Sequence, residues 1–334
     1  MSTKKIFFLA VIFLVATGLI VFYLTQPANK KAPSKVYEIG LLQMASTINA
    51  NMDGLKEGMR ELGYEEGKNV NYHYYNAEGN TQLIGEYAKK LVEANMDLIF
   101  TNSSPAAQAA KDATAASTIP VVFSMVADPV RAGFVASIQS SQNNLTGTSC
   151  AYIDIAPKRL EVLKQTDPSV KKVMVFYRPG DKSGEPAAEK IKSAGEKLDI
   201  QVLLKPVTKS DEIKSILNKL TPGEVDALMD PADSMVTASV DSLVQAALRL
   251  KVPLMMMSDL EAEKGALITY GVDYFDLGKQ SARLVAKVLE GSKPSEIPTE
   301  MPRTFRMVVN MKTAQAIGLT PTADILSRAN RVIR

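Results

Sequence analysis

From Tyr37 onward the chain alternates short β-rich runs with amphipathic helical stretches, and it does so twice in the same order. Such alternation builds parallel sheets with helices on both faces. The first half predicts strands over 37–42, 69–75, 97–101 and 120–124, with helices over 51–62, 81–94 and 105–117. The second half predicts strands over 172–177, 200–206, 225–229 and 253–257, with helices over 185–198, 210–220 and 235–250. Leu83, Tyr87, Leu91 and Val92 recur at helical spacing, and Gly63 stands where a glycine cap closes the first helix. The halves correspond most closely where Ile119-Pro120 opens VVFSM and Val252-Pro253 opens LMMMS. Each of these runs follows a helix that itself follows a strand ending in a polar loop, 101–105 in one half and 230–234 in the other. Two units are too few for a solenoid, so the expected fold is α/β, with two doubly wound parallel-sheet lobes. The 334 residues suit two lobes of roughly 120–150 residues better than one core.

In open parallel sheets ligands sit outside the carboxyl ends of the strands. Two such lobes facing each other would line one cleft with both sets of strand ends, and hinge closure is the expected motion.

The N-terminus reads differently. Lys4-Lys5 precede an uncharged apolar run over 6–24, which as a helix would span about 28 Å, close to the thickness of a bilayer's hydrocarbon core. No A-x-A cleavage site and no nearby cysteine follow it, so residues 1–27 are expected to be a signal anchor, with a cleaved signal peptide as the alternative. The lysines should remain cytoplasmic, with the rest of the chain outside, tethered through 28–35.

The formal charge of +3 comes from this leader. Five lysines lie within 1–35 with no acid, and removing them from the total leaves −2 for residues 36–334. The folded part carries no basic stripe, which argues against nucleic acid as a partner. One cysteine, Cys150, and one histidine, His73, leave too little for a disulfide, a cysteine metal site or a Ser-His-Asp constellation. No catalytic group, metal or cofactor is therefore expected. Met255, Met256 and Met257 read as a buried strand, because neighbours on a strand point to opposite faces and cannot converge on one ion.

The stretch from Val122 to Gly147, containing FSMVADPVRAGFVASIQSSQNNLTG, resembles a signature of the ABC transporter substrate-binding protein family, tryptophan/tyrosine-type. Further similarities are GLLQM near residue 40, GMRELGYEEGKNV from Gly58, NSSPAAQAA from Asn102, GALITYGVDYFDLG from Gly265 and VVNMKTAQAIGL near the end. The resemblance covers 36–320 in order. It implies a type I periplasmic-binding-protein-like fold whose three crossovers form the hinge, near 146–151, 269–273 and 298–304. Lobe 1 would then comprise 36–147 plus 272–298, and lobe 2 would comprise 148–271 plus 299–334. It also implies capture of a small molecule, an amino acid with the aromatic ones among the candidates, for ABC permease and ATPase subunits outside the cytoplasmic membrane. A membrane-tethered sensor reporting to another membrane protein is the alternative.

The candidate ligand-binding residues lie on the strand-end loops. On the first lobe they are Gln43, Met44 and Ser46, then Asn102, Ser103 and Ser104, then Ser124 and Asp128. Pro105 fits the first helical position and Ser104 the N-cap, and a helix start with free N–H groups suits an anion. Asp128 could take an ammonium or cap a turn. On the second lobe Ser183 resembles a ligand contact of the family. Asp233 and Ser234 either cap the helix from Met235 or meet an amine. Ser258 ends a strand, and Tyr270 and Asp273 lie at the second crossover, where Tyr270 could form a stacking wall.

Overall fold

The computed structural model describes residues 35–45 and 49–334. The first half runs β1 (Tyr37–Gln43), α1 (Asn49–Glu61), β2 (Val70–Asn76), α2 (Thr81–Glu93), β3 (Leu98–Thr101), α3 (Ser104–Ala113), β4 (Val121–Val126) and β5 (Leu145–Ser149). Its five strands form a wholly parallel sheet in the order β2-β1-β3-β4-β5. Strand periodicity divides the core between the faces. Leu42, Ile99 and Phe123 pack on one side with α2 and α3. Leu41, Leu98, Phe100 and Val122 pack on the other. The helices start and stop on local chemistry: Asn80 accepts from the N–H groups of Gln82 and Leu83 at the start of α2, and Gly63 takes φ +89° after α1.

The second half runs α4 (Tyr152–Thr166), β6 (Lys172–Tyr177), α5 (Gly184–Lys197), β7 (Gln201–Pro206), α6 (Ser210–Lys219), β8 (Ala227–Met229), α7 (Ser234–Ala238), α8 (Val240–Leu250), β9 (Leu254–Met256), α9 (Asp259–Lys264) and β10 (Ile268–Val272). Next come α10 (Tyr274–Leu289), β11 (Phe305–Asn310), α11 (Met311–Ile317), α12 (Ala323–Arg328) and β12 (Arg331–Ile333). The seven strands are ordered β12-β11-β10-β9-β8-β6-β7. Met255 and Met256 enter the cores on opposite faces of this sheet, as alternation on a strand requires.

Two expectations are corrected here. The second sheet is mixed, because β11 runs antiparallel to β10. The chain reaches β11 from the first lobe, so it enters the sheet from the carboxyl-end side. The helix expected over 235–250 is two helices broken at Ser239, whose hydroxyl donates to the Met235 carbonyl at 2.9 Å and competes with the backbone ladder.

Three connections join the sheets. Cys150-Ala151 links β5 to α4, and Asp273 links β10 to α10, which packs back on α1 and the first sheet. Residues 298–304 lead to β11, with Thr148 bridging Glu300 on the way. This is the two-lobed α/β arrangement of type I periplasmic binding proteins. Among the described residues no helix is long and apolar enough to cross a membrane. The apolar run at 6–24 and the tether through residue 34 lie outside the described residues.

Candidate functional site

The loops at the carboxyl ends of both sheets hold most of the expected residues, but in different states. On the first lobe Gln43 is fully buried at the end of β1. Its amide donates to the Ala45 carbonyl and to Asn49 Oδ1, and it accepts from the Tyr74 hydroxyl at 2.6 Å. Met44 is partly buried against the core beside it. Ser46 lies outside the described residues. Asn102 is fully buried between β3 and α3. Ser103, not Ser104, is the N-cap of α3, with its Oγ 3.4 Å from the Ala106 N–H. Ser104 and Pro105 occupy the first turn. The cap falls one residue earlier than expected because proline tolerates either first-turn position, where no N–H partner is needed.

Ser124 faces inward rather than to a loop. Its hydroxyl sits among Asn51 Nδ2 (3.1 Å), Thr148 Oγ1 (3.0 Å) and Ser281 Oγ (3.2 Å), a buried network that ties β4 to β5, α1 and α10. Asp128 caps its own turn, accepting from the Arg131 N–H at 2.9 Å.

On the second lobe Asp233 is fully buried and caps α7. Oδ1 accepts from Met235 and Val236, and Oδ2 accepts from the Arg178 N–H at 2.8 Å. It therefore pins the loop after β6 to the loop after β8. Ser234 is the exposed first residue of α7. Ser183 opens α5, and its hydroxyl is buried with no partner among the described residues. Ser258 and Glu261 close a capping box on α9, with Glu261 Oε2 accepting from the Ser258 N–H and hydroxyl at 2.7 and 2.6 Å. Tyr270 stacks on Phe305, ring centroids 5.8 Å apart, within its own sheet. Asp273 caps α10 through the Asp276 N–H and lies 3.6 Å from Arg306.

Between the lobes a small buried cluster occupies the crossovers. Cys150, Val272 and Leu277 form its core, with Tyr152, Tyr274 and Phe305 around them. The Tyr152 hydroxyl on α4 and the Tyr274 hydroxyl on α10 are 2.7 Å apart, so one hydrogen bond spans the two lobes. Burial pushes both phenols well above their usual range and the Cys150 thiol up to about 12, which makes that cysteine inert. Ala151 in the first crossover, Met125 at the irregularity near the end of β4 and Ala232 after β8 all take positive φ without being glycine. Backbone strain of this kind concentrates at clefts and switches.

The sequence reading did not single out Arg159. It is fully buried, and Nη2 donates to the Asp230 carbonyl at 2.5 Å. Its signal was present: Ile155, Arg159 and Val162 share one apolar stripe of α4, and an arginine inside such a stripe must be buried. The Asp230 carboxyl accepts from the N–H groups of Ala232 and Asp233 and from the Thr237 hydroxyl. Burial nevertheless raises its pKa from 3.8 to about 6.

Because the folded pKa lies above the unfolded one, the native state binds the proton more tightly. This contribution is complete below about pH 4 and lost as pH rises through about 6, an effect of about 2–3 kcal/mol. Urea denaturation of Asp230→Asn should therefore show a flatter stability profile than wild type between pH 4 and 7. Parallel profiles would refute the assignment.

Two sheets presenting polar strand ends on either side of three connections define a two-lobed protein of the ligand-binding class. Among the described residues no cluster of three metal-ligating side chains accompanies them. Residues 39–333 match the family model for the ABC transporter substrate binding protein, and the chain belongs to that family. It is 30% identical to a tyrosine-binding protein of Clostridioides difficile over 294 residues, 87% of this chain and 84% of the relative. Among solved structures it resembles an ABC domain in complex with L-Trp from Streptococcus pneumoniae, with 28% identity, 90% of this chain and 100% of that one covered, and a TM-score of 0.79. It also resembles the ligand-free, open structure of a substrate-binding protein with adhesive properties from Clostridium difficile, with 28% identity, 89% and 99% coverage, and a TM-score of 0.74.

Proposed function

We propose that this protein captures an aromatic L-amino acid outside the cytoplasmic membrane and delivers it to the permease and ATPase subunits of an ABC importer. The observation that carries the reading is membership, over residues 39–333, of a substrate-binding family, with relatives that include a tyrosine-binding protein and an L-Trp complex. Capture works by closure: residues 36–147 with 272–298 move against 148–271 with 299–334, and the ligand stabilises the closed form it touches on both sides. One relative is known bound to its ligand and another ligand-free and open, which supports such a cycle. Gln43, Asn102, Ser103 and Ser183 supply polar contacts at the strand ends, while Asp233, Ser258 and Asp273 hold the loops in place. The apolar run at 6–24 keeps the protein at the membrane.

The test is a thermal-shift titration of the full-length chain. L-tyrosine or L-tryptophan at about 100 times its dissociation constant should add about 2.7 kcal/mol of stability, a shift of several degrees in Tm. An unchanged Tm with every amino acid tried at millimolar concentration would overturn the reading.

A further inference from the structure

Arg159 has a chemistry that the fold does not use up. Its Nε and Nη1 find no acceptor among the described residues, although the side chain is fully buried. Leaving donors of a buried charge unmet is costly, and a guanidinium serving only the frame would normally face a carboxylate. Here its one partner is a carbonyl, that of Asp230. The two nearby acids are engaged elsewhere, Asp230 with its own loop and Thr237, and Glu261 with Ser258.

The position of the group completes the case. α4 begins at the first crossover, and helical side chains lean toward the N-terminus, so Arg159 reaches back toward the hinge. Asp230 is the first residue beyond β8, which places the guanidinium at the carboxyl edge of the second sheet, where ligands of parallel sheets bind. The phenols of Tyr152 and Tyr274 and the carboxyl groups of Asp230 and Glu261 lie within its electrostatic reach. A zwitterion suits such a setting, with its carboxylate toward the arginine and its ammonium toward the acids.

We propose that Arg159 is the specificity-determining anchor of the cleft, binding the α-carboxylate of the captured amino acid through its unmet N–H groups. This rests on the amino-acid reading above. Charge-assisted hydrogen bonds to a guanidinium are strong and geometrically selective, and lysine does not reproduce them.

The test compares L-tyrosine and L-tryptophan with their carboxamides, using isothermal titration on the full-length chain. Wild type should bind the amides at least about 100-fold more weakly than the acids. Arg159→Met should bind acid and amide alike, and Arg159→Lys should fall between. Circular dichroism establishes that each variant is folded; if the methionine variant is not, the lysine variant carries the comparison. A wild type that binds amides as tightly as acids, or a folded variant that keeps the full preference, overturns the role of Arg159 and leaves amino-acid capture standing. A wild type that binds neither form of any amino acid overturns both.

Discussion

Gly278→Ala is expected to lower the unfolding free energy by about 3 kcal/mol, even though alanine is the better helix former. A Cβ at Gly278 would stand 2.0 Å from the Asn51 carbonyl oxygen, and one at Gly54 would stand 2.0 Å from the Phe275 carbonyl oxygen. These glycines let α1 and α10 cross with their backbones nearly touching, and a methyl group there meets backbone rather than a movable side chain. The helices would have to separate, loosening Leu55, Leu277 and Ala282 and the Asn51–Ser124 network beneath them. Gly54→Ala should cost a similar amount, and the double variant less than the sum, because both remove the same contact. Gly85 is the control. It lies inside α2 with open space where a Cβ would go, so Gly85→Ala should stabilise by roughly 0.5–1 kcal/mol. Chemical denaturation decides the matter: equal signs at Gly85 and Gly278 would refute the close helix crossing.

Asp233→Ala should cost about 3–4 kcal/mol in the absence of ligand. The carboxylate caps α7 through two N–H groups, a contribution of about 1–2 kcal/mol. Its other oxygen holds the Arg178 N–H, and a donor left unmet there costs about 1–3 kcal/mol more. Gly184 packs against the same side chain so tightly that its own Cβ would lie 2.6 Å from that of Asp233. Removing the carboxylate therefore frees the loop after β6 as well as the cap. Asp233→Asn, which keeps an oxygen for the cap, should recover about half of the loss. A folded Asp233→Ala variant with wild-type stability in urea would show that the two loops are held by something else.

Much of the architecture was legible in the chain itself. The strand and helix positions at Thr81–Glu93 and Lys172–Tyr177 follow from periodicity and capping residues close in sequence. The opposed faces of Met255 and Met256 follow in the same way. The site was less legible. Asp233 carried two readings, capping or ligand contact, and its hydrogen bonds cap α7; Ser258 read as a strand-end residue and its hydroxyl bonds Glu261 in a capping box. Ser124 read as a strand-end residue, yet its partners come from α1, β5 and α10. Arg159 was not singled out, and no helix was expected over 152–166, where α4 carries it.

Side-chain alternation, turn residues and caps act over a few neighbours, so reading the letters in order was enough to recover two α/β halves with polar strand ends. Whether a glycine is indispensable or idle, and whether an arginine is solvated or sealed in the interior, depends on segments 71 or more positions away. Gly54 meets Phe275 only once the chain has returned to the first sheet, and Arg159 meets Asp230 only once the second sheet has assembled, and such encounters leave no local trace.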